Sequence, residues 1–247
     1  MSSDSFRDIV NDTCELLRQS AKGSKRVVHL SPEVAGRLDD LNAAVQPVGQ
    51  AADGVSGCPL DALRAEVAAC TRCELSRTRT QTVFGDGSST ARLVFVGEAP
   101  GADEDRQGVP FVGRAGQLLT DIVEKGMRLA RSEVFICNVL KCRPPGNRNP
   151  SPSEVEQCEP YLVRQLEALR PAVICALGKY AAQTLLKTDA TVGRMRGRWH
   201  FYHGIPLRVT YHPAYLLRSP GEKRKTWEDV KEIMKVLNGE VVPVQEP

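Results

Sequence analysis

Three short, almost wholly apolar runs, Leu93–Val96, Val134–Val139 and Ala172–Leu177, limit what this chain can fold into more than any other feature. A strand wetted on one face alternates apolar and polar residues, whereas a strand apolar throughout has to be covered on both faces. Helical stretches separate the runs at Ala115–Lys125, Ser153–Leu169, Lys179–Leu186 and Glu222–Leu237, and strand–helix alternation of this kind makes parallel βαβ units. A fourth strand is expected from the hairpin-like Trp199–Tyr211, with His203-Gly204 at its turn. The expected fold is therefore α/β, three α/β/α layers around a central, mostly parallel four-stranded sheet, spanning residues 58–238. Residues 1–57 read as an N-terminal extension, helical at Asp4–Ser20 and Pro32–Ala44 or partly disordered, that ends in the small-residue linker Gly49–Gly57. Residues 239–247 read as a tail.

Composition excludes some classes. No stretch approaches the ~18 apolar residues of a membrane span, and the first residues carry no apolar leader, so a cytoplasmic, monomeric protein without a membrane partner is expected. In a reducing compartment its eight cysteines are better read as metal ligands or redox groups than as disulfides. The extension holds six Lys/Arg and eight Asp/Glu, leaving 27 and 22 in the remainder, a net +5 that suits a polyanionic partner without demanding one.

In an open α/β sheet, ligands bind beyond the carboxyl ends of the strands. Three strand ends carry unusual residues. Val96 runs into the tight turn Gly97-Glu-Ala-Pro-Gly101, followed by Asp103-Glu104-Asp105 and Phe111; Asn138 lies near the end of the second run; His212-Pro-Ala-Tyr-Leu-Leu-Arg218 follows the last strand. The glycine turn lacks the dinucleotide spacing and the P-loop lysine, and its acidic residues would repel phosphate, which argues against a nucleotide cofactor. Singly, Asn138 and His212 read as a polar strand end and a capped turn; at three converging strand ends they read as a site.

Cys70-Thr-Arg-Cys73 forms a metal-like knuckle, while Cys142 and Cys158 flank the loop Arg143–Pro150. Four thiolates hold either zinc or an iron–sulfur cluster. One close pair with two distant ligands tilts towards a cluster, but spacing alone leaves the choice open. Cys137 and Cys175 lie inside apolar strands as small hydrophobes, and Cys14 and Cys58 fall in the extension and linker.

Together these motifs, with Pro110-Phe-Val-Gly113 and Asn138-Val-Leu-Lys-Cys-Arg-Pro-Pro145, resemble the family 4, iron–sulfur uracil-DNA glycosylases over about residues 60–237. The resemblance implies a DNA-repair enzyme with a 4Fe-4S cluster on Cys70, Cys73, Cys142 and Cys158. Its partner would be uracil-containing DNA, single- or double-stranded, from which it flips uracil and hydrolyses the N-glycosidic bond. It further implies a uracil pocket of Gly97, Glu98, Ala99, Glu104, Phe111, Asn138 and His212. Phe111 would stack on the base, Asn138 would read it, and His212 would donate to O2 as charge develops there. Glu98 would stabilise the sugar cation or hold the attacking water. Two positions depart from better-known uracil glycosylases: Ala99 stands where they have a water-activating Asp, and Gly101 where they have a Tyr that blocks the thymine methyl, leaving Glu104 to crowd that methyl. Leu216 resembles the wedge that fills the vacated stack, the sequence leaving open whether it or Leu217 enters the duplex, with Arg218 and Lys223-Arg-Lys225 near phosphates; Arg194, Arg196 and Arg198 read either as further backbone contacts or as a solvated basic loop. A related damage-binding protein that traps DNA covalently would need a nucleophile such as His in Arg106–Pro110, and none is there. The extension reads either as a docking point for a replication or repair partner or as a variable tail.

Overall fold

The computed structural model describes residues 59–244; the two helices expected in the extension lie outside the described residues, as do Cys14 and Cys58. The chain forms α1 (Pro59–Ala68), a 3-10 turn at Glu74–Arg77, β1 (Asp86–Gly87), β2 (Leu93–Gly97), α2 (Ala102–Gln107), α3 (Arg114–Asp121, continuing into a π-helical turn at Ile122–Met127), a 3-10 turn at Arg131–Glu133 and β3 (Phe135–Asn138). It continues through α4 (Pro152–Leu169), β4 (Val173–Leu177), α5 (Gly178–Leu186), α6 (Val192–Met195), β5 (Trp199–Tyr202), β6 (Ile205–Thr210), α7 (Pro213–Arg218) and α8 (Lys223–Leu237).

The sheet has six strands in the order β1-β3-β2-β4-β6-β5. Its four central strands are mutually parallel, as expected, and two antiparallel edge strands extend it beyond that count. β5 is the first arm of the expected hairpin, and its turn places both His203 (φ 48°) and Gly204 (φ 77°) in the left-handed region, as a two-residue turn that matches strand twist requires.

Alternation within each apolar strand builds two cores. Val94, Val96, Phe135, Cys137 and Ile174 face α1, α4 and α5, packing on Leu63, Leu162 and Leu185. Leu93, Phe95, Ile136, Val173 and Cys175 face α3 and α8, packing on Leu119, Val123, Val230 and Ile233. Every residue of β2 and β4 is buried, which is why the strands carry no polar alternation. At roughly 1.5–3 kcal/mol per buried large aliphatic side chain, the two cores hold the sheet rigid, and its carboxyl edge becomes a fixed platform.

Helix α4 starts on a capping box. Ser151 Oγ accepts from Glu154 N at 3.3 Å while the Glu154 carboxylate accepts from Ser151 N at 2.8 Å, with Pro152 opening the first turn. Glu154 also takes a two-pronged contact from Arg148, at 2.6 and 2.9 Å. This anchors the loop after β3 to the start of α4.

Candidate active site

The carboxyl ends of β2, β3 and β6 open into one cleft of about 550 Å³, lined among others by Glu98, Ala99, Glu104, Phe111, Asn138 and His212. The β2–β3 ladder runs on past the strand ends, with Val139 N donating to Gly97 O at 2.9 Å and Leu140 N to Glu98 O at 3.0 Å. Glu98 and Asn138 are thereby held on adjacent backbone at the cleft floor. Gly97 is required there: a Cβ would lie 2.3 Å from Asn138 Oδ1 and 2.7 Å from Phe111 Cζ, so any side chain would occupy the space the two share.

Asn138 is 2% exposed, and its Oδ1 has no hydrogen-bond partner among the described residues. An unpartnered buried acceptor costs about 1–3 kcal/mol, a cost relieved by a ligand that donates to it. Its own backbone carbonyl is fixed from below by Lys141, whose Nζ donates to Asn138 O and to Gln165 Oε1, each at 2.6 Å. Sequence reasoning missed this buried lysine; its signal was a single cation between Leu140 and Cys142 at the end of an apolar run.

His212 caps α7. Its Nδ1 accepts from Ala214 N at 3.1 Å, which leaves the proton of the neutral ring on Nε2. Burial, reinforced by the positive charge of Arg218, lowers its pKa to about 4. Near neutrality the ring is therefore an uncharged donor with a fixed tautomer. Gly178 (φ 86°) makes room for it, since a Cβ there would stand 2.8 Å from His212 Cβ. The rings of Phe111 and His212 lie 5.5 Å apart at 32°, so both border the same space. Phe111 has φ 53°, a conformation that costs a non-glycine residue of order 1–3 kcal/mol. Burial pushes the Glu98 carboxyl up to about 7.

Residues 84–231, more than half of the chain, match the family model described as the uracil DNA glycosylase superfamily. The chain is 46% identical over 184 residues to the type-4 uracil-DNA glycosylase of Archaeoglobus fulgidus, covering 70% of this chain and 91% of that protein. It is 40% identical over 191 residues to the type-4 uracil-DNA glycosylase of Saccharolobus solfataricus, covering 74% and 88%. A type-5 uracil-DNA glycosylase of Pyrobaculum aerophilum is more distant, at 32% over 165 residues, 60% of this chain and 72% of that protein. The chain belongs to the type-4 uracil-DNA glycosylase family.

In this type-4 member the Glu104 carboxylate is fully engaged by backbone: it accepts from Gly101 N at 3.0 Å, Val112 N at 3.0 Å and Gly113 N at 3.3 Å. It also stands 2.7 Å from where a Gly101 Cβ would be, filling the space that a side chain at 101 would take. The structure separates the two leucines of the wedge motif. Leu216 is 1% exposed and belongs to the interior, whereas Leu217, next along α7, is 38% exposed beside exposed Tyr215 and Arg218. On so short a helix, one residue turns the side chain by about 100°, and the spacing in the sequence does not say which leucine faces out. Arg196 is likewise not a free surface cation, because it is held by Asp229 and the Lys225 carbonyl.

The four candidate cysteines line one internal pocket together with Arg79, Lys141 and Tyr161. Cys142 Sγ accepts from Arg79 Nη1 and Cys158 Sγ from Lys141 N, both at 3.2 Å, donors that favour charged sulfur. Burial, partly offset by the Lys141 charge and N–H, pushes the Cys158 thiol up to about 11, and burial raises that of Cys142 against the pull of Arg79. Among the described residues no group of three or more Cys, His, Asp or Glu is arranged to hold a metal ion. Two links tie this pocket to the cleft: the Asn138–Cys142 segment itself, and Thr80 N, which donates to the buried Asp105 of α2 at 3.0 and 3.1 Å.

Proposed function

We propose that this protein excises uracil from DNA by hydrolysing the N-glycosidic bond, leaving free uracil and an abasic site for base excision repair. The observation that carries the reading is the unpartnered, buried Asn138 Oδ1 in a cleft bordered by Phe111 and the neutral His212. Uracil matches it: N3–H donates to Oδ1, O4 accepts from the amide nitrogen, and Phe111 covers a face of the ring. Cytosine presents an acceptor at N3 and donors at N4, so both contacts fail, and such a mismatch in a dry site is strongly rejected. Because the bond is shielded inside a duplex, the base has to leave the stack first.

As the C1′–N1 bond breaks, its electron pair moves onto uracil and collects at O2, where His212 Nε2–H donates. A neutral donor suffices, because the hydrogen bond strengthens as the charge grows. Water oxygen bonds to C1′ and its proton passes to solvent, which returns one to the departed uracil anion. Ionised Glu98 stabilises the positive sugar and orients that water. Glu104 organises the turn and crowds the 5-methyl of thymine. Leu217, rather than Leu216, fills the gap in the stack, with Arg218 near phosphate. The enzyme acts as a cytoplasmic monomer on single- or double-stranded DNA. The decisive experiment incubates the protein with a uracil-containing oligonucleotide and then alkali: cleavage at uracil is expected, and intact strands at every protein concentration would refute the reading.

Since burial holds the Glu98 carboxyl up near 7 and the ionised form is the active one, the single-turnover rate is expected to rise through about pH 7 and level off above it. Glu98→Gln should flatten that rise and slow the reaction about 100-fold. A variant with an unchanged profile would remove Glu98 from the mechanism.

Cys70, Cys73, Cys142 and Cys158 are proposed to hold a 4Fe-4S cluster, because the four share one pocket in which two of the sulfurs receive N–H donors, in a chain of the type-4 family. The group supplies no chemistry to the hydrolysis; it serves as a brace. Arg143–Pro150 is tied down at one end by Cys142 and at the other by Arg148 on Glu154. Removing the metal with a chelator should free that loop and weaken binding to uracil-containing DNA by about tenfold, the effect of having to reorder it on binding. Equal affinity of stripped and intact protein in an anisotropy titration would contradict this.

A further inference from the structure

Phe111 occupies the left-handed region without glycine's freedom to do so, and the structure holds it there from both sides. On the far side, Glu104 Oε1 accepts from Val112 N and Gly113 N. On the near side, Arg131 Nη2 donates to the carbonyl of Pro110 at 2.7 Å, and its Nη1 donates to Thr120 Oγ1 at 2.9 Å. Arg131 thus spans the two segments that flank Phe111, the proline before it and helix α3 after it. The helix packs directly on the strained residue: a Cβ at Gly116 would lie 1.8 Å from Phe111 O. Arg131 itself sits half-buried in the 3-10 turn that leads into β3, away from the cleft lining, so it touches neither base nor sugar.

We infer that Arg131 is a positioning residue for base recognition: its planar guanidinium clamps Pro110 to α3 and, opposite Glu104, keeps Phe111 in the backbone conformation that sets its ring against the flipped base. The inference rests on the uracil-excision reading for its consequence and on geometry alone for its mechanism. Arginine is suited to the task because its two donors are fixed in one plane. Lysine can satisfy the Pro110 carbonyl but cannot hold both partners in that geometry.

The test combines kinetics with amide exchange on the full-length protein. Arg131→Met is expected to slow single-turnover excision about tenfold, the size of coupling usual between residues in contact; Arg131→Lys, which keeps only the Pro110 contact, should recover only part of that loss. In a Phe111→Ala background, Arg131→Met should cost no more than about twofold, because its effect passes through the ring. Amide exchange at Val112 and Gly113 should accelerate about tenfold in Arg131→Met, while the sheet amides of β2 and β4 stay as protected as in the parent. Should Arg131→Met fold poorly, Thr120→Val removes only the Nη1 anchor and should show the same pattern at smaller size. A full tenfold loss persisting without the Phe111 ring, or unchanged exchange at Val112, would overturn the inference. Parent protein that leaves uracil untouched while Arg131→Met still loosens Val112 would instead sink the activity and keep the clamp.

Discussion

Asn138→Asp should lower uracil excision by at least about 100-fold and bring measurable excision of cytosine. The amide in this site offers one acceptor and one donor, and the acceptor is buried without a partner among the described residues. An ionised aspartate keeps the acceptor but loses the donor that O4 needs, leaving that oxygen unpaired in a dry pocket. The same surroundings push the neighbouring Glu98 carboxyl up, and they should keep a minor protonated fraction of the Asp at 138 near neutrality. A protonated carboxyl donates through its hydroxyl to cytosine N3 and accepts from N4, the pattern cytosine presents. Alkali cleavage of paired oligonucleotides differing only in U or C at one position measures both effects. Undiminished uracil excision by Asn138→Asp would show that the base is read elsewhere.

His212→Ala should cost about 100–1000-fold in the single-turnover rate, the usual loss for one donor aimed at a developing oxyanion, with little change in the concentration needed for half-saturation. The split follows from timing: the contact to O2 is modest while uracil is neutral and strong only as the bond breaks. Because burial holds the ring's pKa down at about 4, His212 does not titrate between pH 5 and 8. The rise assigned to Glu98 should therefore survive in His212→Ala, displaced downward in rate but not along the pH axis. Loss of that rise along with the imidazole would mean the two groups titrate as one.

Much of the architecture was legible because it rests on period and composition. Runs such as Val173–Leu177 announce coverage on both faces, and the two cores provide it. The two-residue β1, Asp86–Gly87, has no apolar signal and exists only because β3 offers a free edge. The π turn at Ile122–Met127 is invisible to a 3.6-residue pattern. Within the site, Glu98, Asn138 and His212 could be found from their places after strands, since topology brings such places together. The residues that hold them could not. Lys141 and Arg131 act through carbonyls distant from or unmarked in the motif, and nothing in the identity of Pro110 or Thr120 says that a guanidinium joins them. Leu216 and Leu217 are chemically alike, so only the rotation of α7 tells them apart.

The continuation of the β2–β3 ladder past Asn138 makes the stretch from Asn138 to Cys142 a ruler. Its successive residues hold the proposed base-reading amide, two hydrogen bonds to the β2 side, a buried cation and a candidate metal ligand. Adding or deleting one residue would swing every later side chain to the opposite face, so the cysteine pocket and the base pocket could not both remain aligned. The loop just beyond, from Arg143 to Pro150, is under no such constraint and can change length as long as its two anchors meet. Variation among relatives, and any engineered insertion, should therefore collect after Cys142 and be absent before it.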